Sequence, residues 1–244
     1  MKFSKYINEN KIETIEEFAE LVKRDCGKFL KEIKPSNRFL YRGISGIFDD
    51  MGVKTPRPDR TPKDTSAEGH KYLGKLFKKY HGWNARKEGV FCAGEVGETS
   101  SYGYSCIIFP VDGYKYLWSN KIADLYSNIE KDDAFEYKNY YGNYSILWDK
   151  YELTLFINGV IKKYKFEHEY DNNYIGLNHD NIEDDVLKTA EKELNILIKN
   201  YLNHNIDKYL TRYGSHEMTL KCKKYYYIKW YAENEFKLKR LLYK

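Results

Sequence analysis

The chain lacks a long apolar run. Its uninterrupted apolar stretches, such as Cys106-Ile107-Ile108-Phe109, extend only a few residues, against the roughly 20 needed for a helix to cross a bilayer. No membrane contact is expected. Met1-Lys2-Phe3-Ser4-Lys5-Tyr6 carries no apolar h-region, so no secretory signal is read there and a cytoplasmic setting is the expectation. Cysteine is sparse and never paired in sequence. Cys26, Cys92, Cys106 and Cys222 form no C-x-x-C motif and each stands among apolar neighbours, which reads as small buried hydrophobes in a reducing compartment. The histidines (His70, His81, His168, His179, His204, His216) are equally scattered. A structural zinc site needs clustered ligands, so no metal is expected. Prolines number only 5, and Pro56, Pro58 and Pro62 fall in one segment.

What is present fits a packed domain. Apolar residues make up 42% and charged residues 32% of the 244 positions, within the range of globular proteins. One domain spanning 1–244 is the simplest account. The net charge of +5 is uneven. From Met218 onward, Lys221, Lys223, Lys224, Lys229, Lys237, Lys239, Arg240 and Lys244 face only Glu233 and Glu235. This basic segment reads as a solvated strand face with a frayed end, or as a contact for nucleic acid or another polyanion. Within it, Tyr225, Tyr226, Tyr227 and Trp230 alternate with Lys223, Lys224 and Lys229, as a stacking surface for single-stranded nucleic acid would. On a strand, half of those rings must still face the core.

Apolar periodicity predicts the elements. Ile15, Phe18, Val22, Cys26, Phe29 and Ile33 recur at helical steps, predicting one helix from Thr14 to Ile33 within an N-terminal segment 1–35. Thr14 and Glu17 form a capping box and Pro35 ends the helix. Arg38 to Gly43 reads as a short strand. Ile44 to Ser66 is a long loop with Arg57 and Arg60 among its prolines, and loops this long in compact domains are usually functional. A second helix, capped by Thr65 or Ser66, runs to the break at Gly82. Strands are predicted at Gly89–Ala93, Ser105–Val111, Tyr114–Trp118, Glu152–Ile157 and Val160–Phe166, the last two joined by the hairpin signal Asn158-Gly159. Asp185 to Tyr209 reads as a long amphipathic helix and Met218 to Trp230 as β. The expected class is α+β, with helices early and late around a mainly antiparallel sheet.

Four pieces stand in a telling order: Leu40-Tyr41-Arg42-Gly43, then Gly89-Val90-Phe91-Cys92-Ala93, then Thr99-Ser100-Ser101-Tyr102-Gly103, and finally Ser215-His216-Glu217-Met218-Thr219-Leu220. Together they resemble the ADP-ribosyltransferase fold. In that family an early strand ends in His-Gly or Arg-Gly, which grips the nicotinamide carboxamide of NAD, and Arg42-Gly43 matches the arginine form. The polymerase-type members then carry Gly-Ile-Tyr-Phe-Ala, to which Gly89–Ala93 is similar. Eleven residues after its aromatic, the family places a second tyrosine. The same offset here gives Tyr102, with Thr99 at the position of the carboxamide-binding serine. The catalytic glutamate opens a late strand, as Glu217 does.

The resemblance implies a split antiparallel sheet with flanking helices, NAD as substrate, and nicotinamide held between Phe91 and Tyr102 by stacking and cation–π attraction. It implies a backbone approach at Gly43, Arg42 on a phosphate or ribose hydroxyl, Arg57 and Arg60 on the pyrophosphate, and Glu217 stabilising an oxocarbenium-like ribose. Segment 44–66 takes the place of the donor loop. Two departures narrow the chemistry. Phe91 lacks the usual tyrosine hydroxyl, and Ser215 stands where arginine-modifying members carry a second acid. Transfer of a single ADP-ribose to a host protein or nucleic acid is the activity implied. Arg57 to Thr65 also resembles uncharacterised bacteriophage proteins, which implies a phage enzyme in the host cytoplasm. Two other readings stay open: a non-catalytic phage protein that binds and inhibits a host defence complex, and a basic nucleic-acid-binding protein.

Overall fold

The computed structural model describes residues 12–47, 49–57, 67–125, 136–138, 145–147, 192 and 194–243. Contacts divide the chain into two compact units. One comprises Met1–Arg57, Gly89–Asn120 and Leu202–Lys244; the other comprises Pro58–Glu88 and Lys121–Tyr201. The class is α+β with antiparallel pairing throughout the described sheets.

The first unit begins with α1 (Ile15–Asp25), which buries Phe18, Ala19 and Val22. Thr14 caps its start as read from the sequence, and the return bond of Glu17 goes to the residue before the cap rather than to Thr14 itself. Thr14 Oγ1 accepts from the Glu17 amide at 3.1 Å, while Glu17 Oε2 reaches back to the Glu13 amide at 3.1 Å. The expected single helix to Ile33 is instead two. Cys26 leaves helical geometry (φ −123°, ψ 26°) and α2 (Gly27–Ile33) starts afresh. The cause is distant in sequence: Asp112 takes the Lys28 amide on its carboxylate at 3.0 Å and donates its own amide to the Asp25 carbonyl at 2.9 Å. A 3-10 turn (Lys34–Ser36) containing Pro35 closes the helical pair.

Seven strands of this unit form two sheets. β1 (Leu40–Ile44), β4 (Tyr104–Pro110), β9 (Tyr225–Lys229) and β2 (Met51–Lys54) lie in the order β1-β4-β9-β2. β3 (Val90–Cys92), β8 (Met218–Lys221) and β5 (Lys115–Trp118) lie in the order β3-β8-β5. Two expectations are corrected here. Segment 44–66 is not all loop, because β2 pairs with the free edge of β9 from Met51↔Ile228 to Lys54↔Tyr225. The β segment Met218 to Trp230 is two strands in different sheets, separated by Cys222 to Lys224.

The core fills the space under both sheets. Phe109 is fully buried and meets Phe18, Phe29 and Phe39 edge-on at 5.9, 6.4 and 5.4 Å. Truncating such a phenylalanine to alanine typically costs about 3–5 kcal/mol. The expected helix Asp185 to Tyr209 breaks within its described part. Residues 194–199 are helical, Leu202 then pairs with Trp118 as a β-bridge, and α5 (Ile206–Arg212) begins after Asn205 in the left-handed region (φ 59°). Asn200, Asn203 and Asn205 favour such turns over helix. The basic C-terminal segment is not frayed: α6 (Ala232–Tyr243) buries Leu238.

In the second unit, α3 (Ala67–His81) ends before Gly82, as read from the sequence, and a short α4 (Ala85–Glu88) follows. His81 bonds the Ile198 carbonyl at 2.8 Å and Phe77 meets Tyr201 edge-on at 5.0 Å. The pair β6 (Glu136–Lys138) and β7 (Ser145–Leu147) also belongs to this unit. The hairpin predicted at Glu152–Ile157 and Val160–Phe166, and the caps at Thr65 and Ser66, lie outside the described residues.

Asp25 clasps α1 to β9. It accepts from Arg24 Nε at 2.7 Å and from the Tyr226 hydroxyl. The Arg24 hydrogen bond, then that of Tyr226, lowers its pKa from 3.8 to about 2. A carboxylate with a depressed folded-state pKa stabilises above its unfolded value and loses that contribution as pH falls through the folded one. The stability gap between wild type and Asp25→Asn, measured by urea unfolding, is therefore expected to be full at pH 7 and to shrink steadily from pH 4 toward pH 2.

Candidate functional site

The two sheets of the first unit meet at one place. Tyr41 and Ala93 exchange both backbone hydrogen bonds, at 2.7 and 2.9 Å. No ladder continues between β1 and β3 beyond this bridge. The Phe91 carbonyl accepts instead from Arg42 Nη1 at 2.6 Å. A backbone acceptor left over at the split is thus satisfied by a guanidinium, in keeping with the rule that buried carbonyls find donors. The Arg42 guanidinium also lies against the buried Tyr225 hydroxyl. Its Nε is buried and, among the described residues, has no hydrogen-bond partner.

Gly43 seats the next component. A 3-10 segment (Val96–Tyr102) packs on β1 so closely that a Cβ at Gly43 would stand 2.3 Å from the Thr99 carbonyl oxygen and 2.6 Å from Tyr102 Cβ. No side chain fits there. Thr99 is buried, and its hydroxyl lies 2.8 Å from both the Val96 carbonyl and the Ser105 hydroxyl. With its proton given to Val96 and that of Ser105 received, one acceptor lone pair is left. Tyr102, at the end of this segment, is 61% exposed.

Phe91 is half-buried on β3, opposite Thr219 of β8, which is itself opposite Leu117 of β5. Alternation puts these three on one face of the sheet, while Val90, Cys92, Met218, Leu220, Tyr116 and Trp118 pack into the core from the other. Glu217 stands one step past the Cys92↔Met218 pair, on the side of Ala93 and Tyr41. It is half-buried.

Arg42, Gly43, Phe91, Thr99, Tyr102 and Glu217 therefore belong to one unit and cluster on β1, β3, the 3-10 segment and the start of β8. Arg57 is exposed, beyond the end of β2. Arg60 lies outside the described residues. The four cysteines are free thiols. Burial pushes Cys106 and Cys222 up to about 12 and raises Cys26 and Cys92 as well; for Cys92, Cys106 and Cys222 the charge of Arg42 opposes the shift without overcoming it. Among the described residues no cluster of His, Cys, Asp or Glu is arranged to hold a metal ion, and no helix is long and apolar enough to cross a membrane.

Tyr225, Tyr226 and Tyr227 are all core residues. The reading of a stacking surface on them is corrected: they face neighbouring strands and α1, with Tyr226 edge-on to Phe18 at 6.1 Å. Of the lysines interleaved with them, Lys229 pairs with Asp50 at 3.1 Å. One residue that no motif singled out stands behind the cluster. Tyr209 of α5 hydrogen-bonds both the Gly94 amide and the His216 carbonyl.

The chain matches no protein-family model, no curated protein and no solved structure.

The seat at Gly43 yields a direct test. Gly43→Ala is expected to destabilise by roughly 3 kcal/mol, toward the upper end for overpacking, because its Cβ would meet backbone. Gly97→Ala, in the same 3-10 segment but with nothing within 4 Å of its Cβ position, is expected to stay within about 0.5 kcal/mol of wild type. Thermal unfolding of the two variants checks this.

Proposed function

We propose that this unit binds NAD and transfers a single ADP-ribose from it to a macromolecular acceptor, as an ADP-ribosyltransferase-like enzyme. The observation that carries the reading is the convergence at the split. Arg42-Gly43, Phe91, the Thr99–Tyr102 segment and Glu217 are brought together by β1, β3 and β8 from positions up to 175 residues apart in sequence. The sheet's division at the β1–β3 bridge also supports it, since the resemblance implies a split antiparallel sheet.

Each residue has a task in this reading. Phe91 and Tyr102 offer aromatic faces to the flat, cationic nicotinamide ring. The acceptor lone pair left on Thr99 suits a carboxamide N–H. Arg42 brings permanent positive charge and a buried, unpartnered donor, which a phosphate or ribose oxygen would complete. Loss of nicotinamide breaks the C1′–N bond, with the electron pair leaving on nitrogen, and leaves an oxocarbenium-like ribose. The Glu217 carboxylate stabilises that charge. The acceptor then forms a bond to C1′ and gives up its proton. With every cysteine thiol raised by burial, charge and a carboxylate, rather than a sulfur nucleophile, carry the step.

The test is incubation of the full chain with NAD labelled in the adenylate moiety, with and without host extract, comparing wild type with Glu217→Gln. Label transfer or nicotinamide release is expected from wild type. The variant is expected to lose about 10²–10³ in kcat, the scale of one electrostatic group removed, while still binding NAD by calorimetry. Tight NAD binding without turnover by the wild type would favour the non-catalytic protein, and no NAD binding at all would overturn the reading.

A further inference from the structure

The segment that delivers Glu217 is held above all by Tyr209, which no sequence motif marks. The Tyr209 hydroxyl donates to the His216 carbonyl at 2.6 Å and accepts from the Gly94 amide at 3.1 Å. One buried oxygen thus ties the residue before Glu217 to the turn that follows β3. The same Gly94 amide donates to the Gly214 carbonyl at 2.7 Å. The two backbones touch so closely that a Cβ at Gly94 would stand 2.8 Å from Gly214 Cα. His216 fixes the segment from a third side. Its Nδ1 lies 2.8 Å from the Ser119 carbonyl, which makes Nδ1 the protonated nitrogen, and its amide donates to the Tyr213 carbonyl at 2.9 Å.

Beneath these bonds lies an aromatic brace. Trp118 is fully buried and packs on Tyr209 at 5.5 Å and on Tyr213 at 5.4 Å, and Tyr213 in turn meets His216 edge-on at 5.4 Å. Burial, above all, raises the Tyr209 pKa, so its hydroxyl keeps the proton it donates to His216. A phenylalanine would preserve the ring contacts and delete only the two hydrogen bonds.

We propose that Tyr209 is a positioning residue for Glu217: its hydroxyl sets the placement of the carboxylate by fixing the His216 carbonyl against the Gly94 turn. The proposal rests on the NAD-transferase reading above. It requires that removing the hydroxyl affect turnover more than substrate binding, since displacement of a reacting group by about 1 Å can cost on the order of 100-fold in rate. Phe91, Tyr102 and Arg42, which would hold the substrate, sit on elements that Tyr209 does not bond.

The experiment measures nicotinamide release from NAD by the full-length wild type and Tyr209→Phe, with water as acceptor, together with melting temperatures and NAD affinity by calorimetry. A loss of about 10- to 100-fold in kcat, with KM and affinity within twofold of wild type, is the expected result. A second pair guards against a variant that fails to fold. His216→Ala should show the same split, and His216→Asn, whose side-chain amide can still donate to Ser119, should recover most of the loss. Wild-type kcat in Tyr209→Phe, or equal activity in His216→Ala and His216→Asn, would overturn the positioning role while leaving the NAD reading standing. Parallel changes in kcat, KM and melting temperature would mark Tyr209 as merely structural and overturn it too. A wild type that neither binds NAD nor releases nicotinamide removes the reading and the positioning role together, whereas activity lost only in Glu217→Gln removes the positioning role alone.

Discussion

The candidate site depends on a fork. Two strands that pair for one residue and then part leave backbone groups without a ladder, and an apolar interior penalises such groups by about 1–3 kcal/mol each. At this fork the Tyr41–Ala93 exchange is the last backbone pair, and the Phe91 carbonyl beyond it is satisfied by Arg42. The guanidinium therefore does two things. It closes the backbone account of the split, and it holds a permanent charge in a partly enclosed place, where its described contacts are a carbonyl and a phenol. Enclosing a charge raises the value of every polar contact it makes.

The surroundings keep the fork from collapsing or drifting. On one side the 3-10 segment is pressed on Gly43 with no space for a Cβ, and on the other the Glu217 segment is tied by Tyr209 and His216. Beneath lie the aromatic layers built on Phe109 and Trp118. Rigid elements thus present the polar groups. Burial also raises the thiol pKa of the cysteines around Arg42 against the pull of its charge.

Local signals in the sequence located the elements they govern. Thr14 and Glu17 cap α1 as their spacing predicts, α3 ends before Gly82, and β3, β4 and β5 fall where small, β-branched and aromatic residues cluster. What stayed hidden was set by partners far along the chain. Asp112 breaks the helix at Cys26, β9 draws β2 out of an apparent loop, and β3, β5 and β4 divide the late β segment between two sheets. The C-terminal helix escaped because its charges dominate its pattern and Leu238 is its one fully buried side chain. Of the candidate residues, the motif order brought six to one place, because chain order and strand neighbourhood coincide there. Arg57 was named from a composition of arginine and proline, which carries no geometric information, and it stands exposed. Tyr209 went unseen because a tyrosine on the apolar face of a short helix looks like any core aromatic until its hydroxyl's partners are known.

The link between β8 and β9 has a mechanical meaning. Only Cys222 to Lys224 separate the strand that follows Glu217 from the strand at the heart of the other sheet. A connector this short has almost no slack. The two sheets are consequently coupled like blades on a common rivet, with the Tyr41–Ala93 bridge as pivot and Cys222 to Lys224 as strap. Lengthening that strap would relax the coupling between the two sheets without removing a single side chain from either.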